Sequence, residues 1–168
     1  DMAARWRSAV KEGGGDFYDV LVLPDGRVVV TVADVSGKST RGSLKLPLFK
    51  AAFLAVAQVF DDPGRMLAEV NRIVYAHLQP EMFISACLVI LDPARHTVRY
   101  ASAGQDAPIY ARRQRHEPVQ LETGGLLLGI DDHARYPSEE QRLEPGDTLC
   151  LFTDGVSEAR NPEGEEFG

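Results

Sequence analysis

The sequence predicts an α+β domain built on mostly antiparallel sheet, and two observations carry that expectation. Apolar, β-branched runs occur in pairs joined by short Pro, Gly and Asp turn signals, which reads as hairpins. Two segments with apolar residues at helical spacing stand between the first pair and the second. Strands grouped in pairs with two helices together, and no strict strand–helix alternation, argue for segregated sheet and helix layers.

The first pair is residues 17–23 and 27–33, turning at Pro24-Asp25-Gly26. From 43 to 60 the spacing turns helical, with Leu44, Leu48, Ala52, Val56 and Val59 on one broad face. Pro47 interrupts that pattern: inside a helix it removes one hydrogen bond and clashes one turn back, at about 3 kcal/mol. A kink or a late start near 43–47 is therefore expected. Asp62-Pro63 supplies an N-cap and a first-turn proline for a second helix, whose apolar face is Met66 or Leu67, Val70, Ile73 or Val74, and Leu78, with Pro80 as the stop. A second hairpin pairs 82–92 with 97–103 around Pro93-Ala94-Arg95-His96. A third pairs 108–112 with 118–121 and has a basic tip at Arg112, Arg113 and Arg115. A last pair, 139–143 and 148–153, turns at Pro145-Gly146.

A chain of 168 residues is the length of one domain with a sizeable core, and 44% hydrophobic with 26% charged residues is ordinary for a globular protein. The net charge of −7 argues against a nucleic-acid partner. No apolar run approaches the ~20 residues that cross a bilayer, and no signal-peptide pattern opens the chain, so a cytoplasmic protein without membrane contact is expected. Cys87 and Cys150 each sit in an apolar, strand-like run, which predicts two buried, reduced thiols and no zinc site.

The stretch that draws attention is Val32-Ala33-Asp34-Val35-Ser36-Gly37. An apolar strand runs into an aspartate, and glycine follows, so rigid backbone holds a carboxylate beside an open loop. Gly14-Gly15-Asp16 and Thr153-Asp154-Gly155 repeat the pairing of carboxylate and glycine at a strand boundary. Taken singly, each is equally an ordinary turn or cap aspartate. Aspartates from three strand ends would converge only if those strands lie side by side, and once together they would repel without a cation. Oxygen donors with no His or Cys among them suit Mg²⁺ or Mn²⁺.

These signatures, GGDFYD, then DVSG, then TDGVSEARN, resemble the bacterial branch of the metal-dependent 2C-type protein phosphatases named for the sporulation stage II E phosphatase. Ala101-Ser102-Ala103-Gly104, Gly124-Gly125 through Leu128-Gly129, and the Pro145-Gly146-Asp147 turn fall where that family carries its own segments. The resemblance covers nearly the whole chain from Arg5 on. It implies an αββα sandwich of two antiparallel sheets flanked by helices. It also implies a two-ion Mn²⁺ or Mg²⁺ centre whose bridging water attacks phosphoserine or phosphothreonine directly. Asp34 would bridge the two ions and Val35 would offer its carbonyl. Asp154 would be the second main ligand, with Asp16 close to one metal or its waters. Asp19 and Asp106 read as surface residues. The implied partner is a phosphorylated protein, typically an anti-sigma-factor antagonist, within sigma-factor and stress signalling. A sensor or regulatory domain in the parent chain is implied as well.

Three departures from the pattern stand out. The family closes with a further helix, a strand and an aspartate, none of which occurs before Gly168, so residues 1–168 are expected to be a single phosphatase domain incomplete at its C-terminal end. Lys38-Ser39-Thr40-Arg41-Gly42-Ser43 replaces the usual small residues after DVSG, with the proline displaced to 47. Gln105 stands where the family has histidine. The missing last aspartate and the altered stretch from Lys38 to Pro47 support a rival reading, a pseudophosphatase that binds a partner as an adaptor, and the intact Asp16, Asp34 and Asp154 speak against it. Lys38, Arg41 and Lys45 would form a cationic face if helical, steering a phosphoprotein or simply solvated. Gly14-Gly15-Asp16-Phe17 echoes the GGDEF signature of diguanylate cyclases, but the following acidic residue is missing. His77, His96, His116 and His133 have no spacing for zinc or a triad, and Ser36, Ser102 and Ser157 lack a nucleophile's strand–turn–helix setting.

Overall fold

In the computed structural model, which describes residues 2–5, 15–36, 45–79, 81–114 and 117–167, the chain opens with β1 (Asp16–Val22) and β2 (Val28–Val35), antiparallel neighbours. Their turn forms at Pro24-Asp25-Gly26 as the sequence predicts. Gly26 adopts φ +86°, a conformation glycine reaches without strain, and its N–H donates to the Leu23 carbonyl at 3.0 Å. Next come α1 (Leu46–Ala57), α2 (Pro63–Tyr75), β3 (Ile84–Asp92) and β4 (Thr97–Ala103). The short strands β5 (Ile109–Ala111), β6 (Val119–Gln120), β7 (Glu139–Arg142) and β8 (Thr148–Cys150) follow, and a four-residue helix α3 (Asp154–Ser157) comes last.

The strands make two sheets, of order β1-β2-β3-β4-β7 and β6-β5-β8, and every strand pairing is antiparallel. The expected α+β class and the pair of antiparallel sheets are thus observed. Two cores hold the layers together. Val29, Ala33, Ile84, Leu88 and Ala101 pack against Phe49, Phe53, Met66, Leu67 and Val70 of the helices. Val32, Cys87, Val89, Val98 and Tyr100 point the other way and meet Tyr110 and Leu121 of the second sheet. Side chains alternate across a strand, so β2 and β3 read as nearly continuous apolar runs because both of their faces are covered.

Pro47 lies in the first turn of α1, where its missing N–H costs no helical bond, so the late start is the outcome among the described residues. The buried face of α1 is Phe49, Ala52, Phe53, Val56 and Ala57, turned from the expected one, and Val59 beyond its end is 74% exposed. Phe49 and Phe53 are fully buried, Leu48 packs half-buried against the same core, and Leu44 lies outside the described residues. Truncating fully buried Phe53 to alanine should cost about 3–5 kcal/mol. For α2 the Asp62 cap is as predicted: its carboxylate accepts from the Arg65 N–H at 2.9 Å and from the Ser138 hydroxyl at 2.9 Å. The helix ends at Tyr75, ahead of the expected stop at Pro80, which is outside the described residues.

One expected hairpin is not a hairpin. β7 pairs with β4 at the edge of the large sheet, while β8 pairs with β5 in the small one. Pro145-Gly146 is therefore a corner between sheets. Asp147 fastens it by accepting from the Tyr110 hydroxyl and from the N–H groups of Arg113 and Glu144. The thiols also divide: Cys87 is buried, and burial pushes it up to about 12, whereas Cys150 on the edge strand β8 is exposed, against expectation. Both are free.

Candidate metal centre

Register places the first two carboxylates. Asp16 and Asp34 are direct partners across the β1–β2 ladder, and Asp34 is also the partner of Ser85 on β3. Along β2 the residues facing the second sheet are Val30, Val32 and then Asp34, so the alternation that builds the inter-sheet core delivers a carboxylate where that core ends. Asp16, as the directly opposite partner, shares that face.

Asp154 arrives from the other side. β8 stops at Cys150, and Asp154 is the first residue of α3, so it does not close a strand as expected. Nor do the three aspartates come from neighbouring strands. The chain leaving β8 of the second sheet, which lies over the first, brings Asp154 across the gap. One carboxylate oxygen each from Asp16, Asp34 and Asp154 lies within 4.8 Å of the others. Asp16 and Asp34 are half-buried and Asp154 is exposed.

Burial raises Asp16 above its ordinary value, the charge of Asp154 adds to this, and a hydrogen bond with the Thr153 side chain opposes it. Asp34 is raised by burial first, then by Asp16 and Asp154, against a lowering bond from the Val35 backbone. Like charges held together in a partly dry site favour either a proton or a cation. The donors are all oxygen, with no histidine or cysteine in the cluster, which fits a hard divalent ion such as Mg²⁺ or Mn²⁺.

Gly15 permits this packing. A Cβ there would lie 2.3 Å from Asp34 Oδ1 and 2.6 Å from the Val35 carbonyl oxygen. Val35 ends β2 with its side chain in the helical core and its carbonyl beside Gly15. Other candidates fall elsewhere. Asp19 pairs with Lys50 of α1 at 3.2 Å, and Asp106 accepts from the Ser157 hydroxyl at 3.2 Å. Lys45 donates to the His77 carbonyl at 2.8 Å, while Lys38 and Arg41 lie outside the described residues.

Three polar residues beside the cluster are not among the site residues expected from the sequence, although Thr153 and Gln105 fall within its motifs. Thr153 is the N-cap of α3 but makes no side-chain cap bond, and its side chain lies near enough to Asp16 to oppose the rise of that carboxyl. Its place before Asp154 was the available signal. Ser85 and Gln105 join through a 2.9 Å hydrogen bond, and nothing local in the sequence marks that pairing.

A family model described as stage II sporulation protein E (SpoIIE) matches residues 24–168. The chain belongs to the SpoIIE family. This SpoIIE-family chain is 32% identical over 154 residues to the phosphoserine phosphatase RsbU of Bacillus subtilis (strain 168), a match covering 92% of the chain and 46% of that protein. The chain thus spans about half the length of that relative. The SiaA-PP2C domain of Pseudomonas aeruginosa superposes with a TM-score of 0.77 at 28% identity, over 92% of this chain and 62% of that one. The fold is also that of RsbX in a crystal structure with magnesium, with a TM-score of 0.73 at 16% identity over 88% and 70% of the two chains. The SpoIIE-family domain therefore has a PP2C-like phosphatase fold. Among the described residues, no helix is long and apolar enough to cross a membrane.

Proposed function

We propose that residues 1–168 form a divalent-cation-dependent protein serine/threonine phosphatase domain acting on a phosphorylated partner protein. The observation that carries this reading is the convergence of Asp16, Asp34 and Asp154 in a SpoIIE-family chain. Asp34 and Asp154 would be the principal ligands of Mn²⁺ or Mg²⁺, with Asp16 beside them and the Val35 carbonyl as a further oxygen donor. Such an ion supplies charge neutralisation at phosphorus and activation of water for direct attack. The chain's own residues do the holding. Paired β1 and β2 fix Asp16 and Asp34, and Asp154 stands at the exposed rim, where a phosphorylated side chain on a protein surface can reach it.

The partner class follows from likeness to a phosphoserine phosphatase: a phosphoserine or phosphothreonine protein, with an anti-sigma-factor antagonist as the expected example and a regulatory domain in the longer chain. The place of action is expected to be the cytoplasm.

Phosphate release from a phosphoserine peptide tests this reading. Wild type should release phosphate only with Mn²⁺ or Mg²⁺, and Asp34→Ala or Asp154→Ala should lower the rate by orders of magnitude while the fold survives. No metal-dependent release, together with partner binding that survives both substitutions, would establish the adaptor reading.

A further inference from the structure

Asp34 lies in the first sheet and Asp154 at the start of α3, which follows the second sheet's β8, and the two sheets share no strand pairing, so the separation of the two carboxylates depends on what ties these segments together near the cluster. Gln105, in the segment after β4, makes such a tie. Its Oε1 accepts from the Ser85 hydroxyl at 2.9 Å, and Ser85 is the ladder partner of Asp34. Its Nε2 donates to the Phe152 carbonyl at 3.2 Å, two residues before Asp154. The amide orientation is fixed by chemistry, since the Phe152 carbonyl can only accept and must meet the NH₂ group. Ser85 has one proton to give. The 2.9 Å acceptor on Gln105 takes it in preference to the Asp34 carbonyl at 3.5 Å.

The backbone of Gln105 is anchored too. Its N–H donates to the Ser102 hydroxyl at 3.1 Å, and its carbonyl accepts from the same hydroxyl at 2.9 Å. Ser102 is 4% exposed and sits on β4 with its ladder partner Cys87 in the inter-sheet core. The link from the strand beside Asp34 to the segment carrying Asp154 is therefore short, half-buried and held at both ends.

We infer that Gln105 is a positioning residue: it sets the spacing between the carboxylates of Asp34 on β2 and Asp154 on α3 and so tunes their hold on a divalent ion. This inference rests on the reading of the cluster as a cation centre. A neutral amide suits the task, because it donates and accepts at once without adding charge beside three carboxylates.

The test is calorimetric titration of the full chain with Mn²⁺, run beside thermal unfolding of the metal-free protein. Gln105→Met keeps the length and removes both hydrogen bonds. Ser85→Ala removes the other half of the tie and provides a second route if the first variant does not fold. Each should weaken Mn²⁺ binding about 10–100-fold. The double variant should be little worse than either single one, because both break the same link. Loss of metal-free stability with unchanged Mn²⁺ affinity, or additive losses of affinity, would overturn the inference. Wild type that fails to bind Mn²⁺ would overturn the cation-centre reading and this inference with it. Tight binding by wild type and variants alike would overturn the inference alone.

Discussion

Asp34 of β2 and Asp154 of α3, the helix that follows the second sheet's β8, bring carboxylate oxygens within 4.8 Å of each other. The site is therefore a product of sheet-on-sheet packing, and no single hairpin contains it. Substitutions that alter how the layers meet should act on the centre as strongly as substitutions in the strands that carry it.

Gly15→Ala is the sharpest local case. The added Cβ would sit 2.3 Å from Asp34 Oδ1, which can rotate, and 2.6 Å from the Val35 carbonyl, which is backbone and cannot swing aside. The end of β2 must move. Mn²⁺ affinity by titration should fall about 10–100-fold, and chemical denaturation should show a loss of about 1–3 kcal/mol.

The pH dependence of the metal-free protein follows from the two raised carboxylates. Asp16 and Asp34 hold protons more tightly folded than unfolded, so the native state binds the extra protons. Stability is fully present below the ordinary carboxylate value of 3.8 and is lost as pH rises through the raised folded values. Asp34→Asn removes one repelling charge. Its metal-free melting temperature should exceed that of wild type at pH 7 and converge on it in acid. Saturating Mn²⁺ should reverse the order at pH 7, because wild type alone keeps the full ligand set.

Asp147 behaves oppositely. The Tyr110 hydroxyl first, then the N–H groups of Arg113 and Glu144, hold its carboxyl below the ordinary value. That stabilisation is present above 3.8 and is lost as pH falls through the lowered folded value. Asp147→Asn should lower the melting temperature at pH 7, with the gap to wild type closing at low pH. A gap that persists in acid would show that the corner between β7 and β8 does not depend on this charge.

Much of this was legible in the sequence where the cause is local. Pro24-Asp25-Gly26 makes its turn because Gly26 tolerates φ +86°, and Asp62-Pro63 starts α2 because the carboxylate caps an N–H three residues on. The three aspartates were legible because glycine beside a strand-end carboxylate leaves a pattern. What depends on partners distant in sequence was not. Pro145-Gly146 signals a reversal of direction, but which strand edge receives the returning chain is decided by the free edges of β4 and β5. Residues 149–152 form a continuous apolar run, yet edge position and pleat leave Cys150 exposed. The link from Ser85 through Gln105 to Phe152 appears only after folding.

The most direct test of the central claim is a double-mutant cycle on Mn²⁺ affinity with Asp34→Asn, Asp154→Asn and the pair together. If the two sheets build one centre, each single substitution should remove most of the affinity and the double should lose little more, a strongly non-additive cycle. Additive losses, or an Asp154→Asn variant that binds Mn²⁺ as tightly as wild type, would contradict the account.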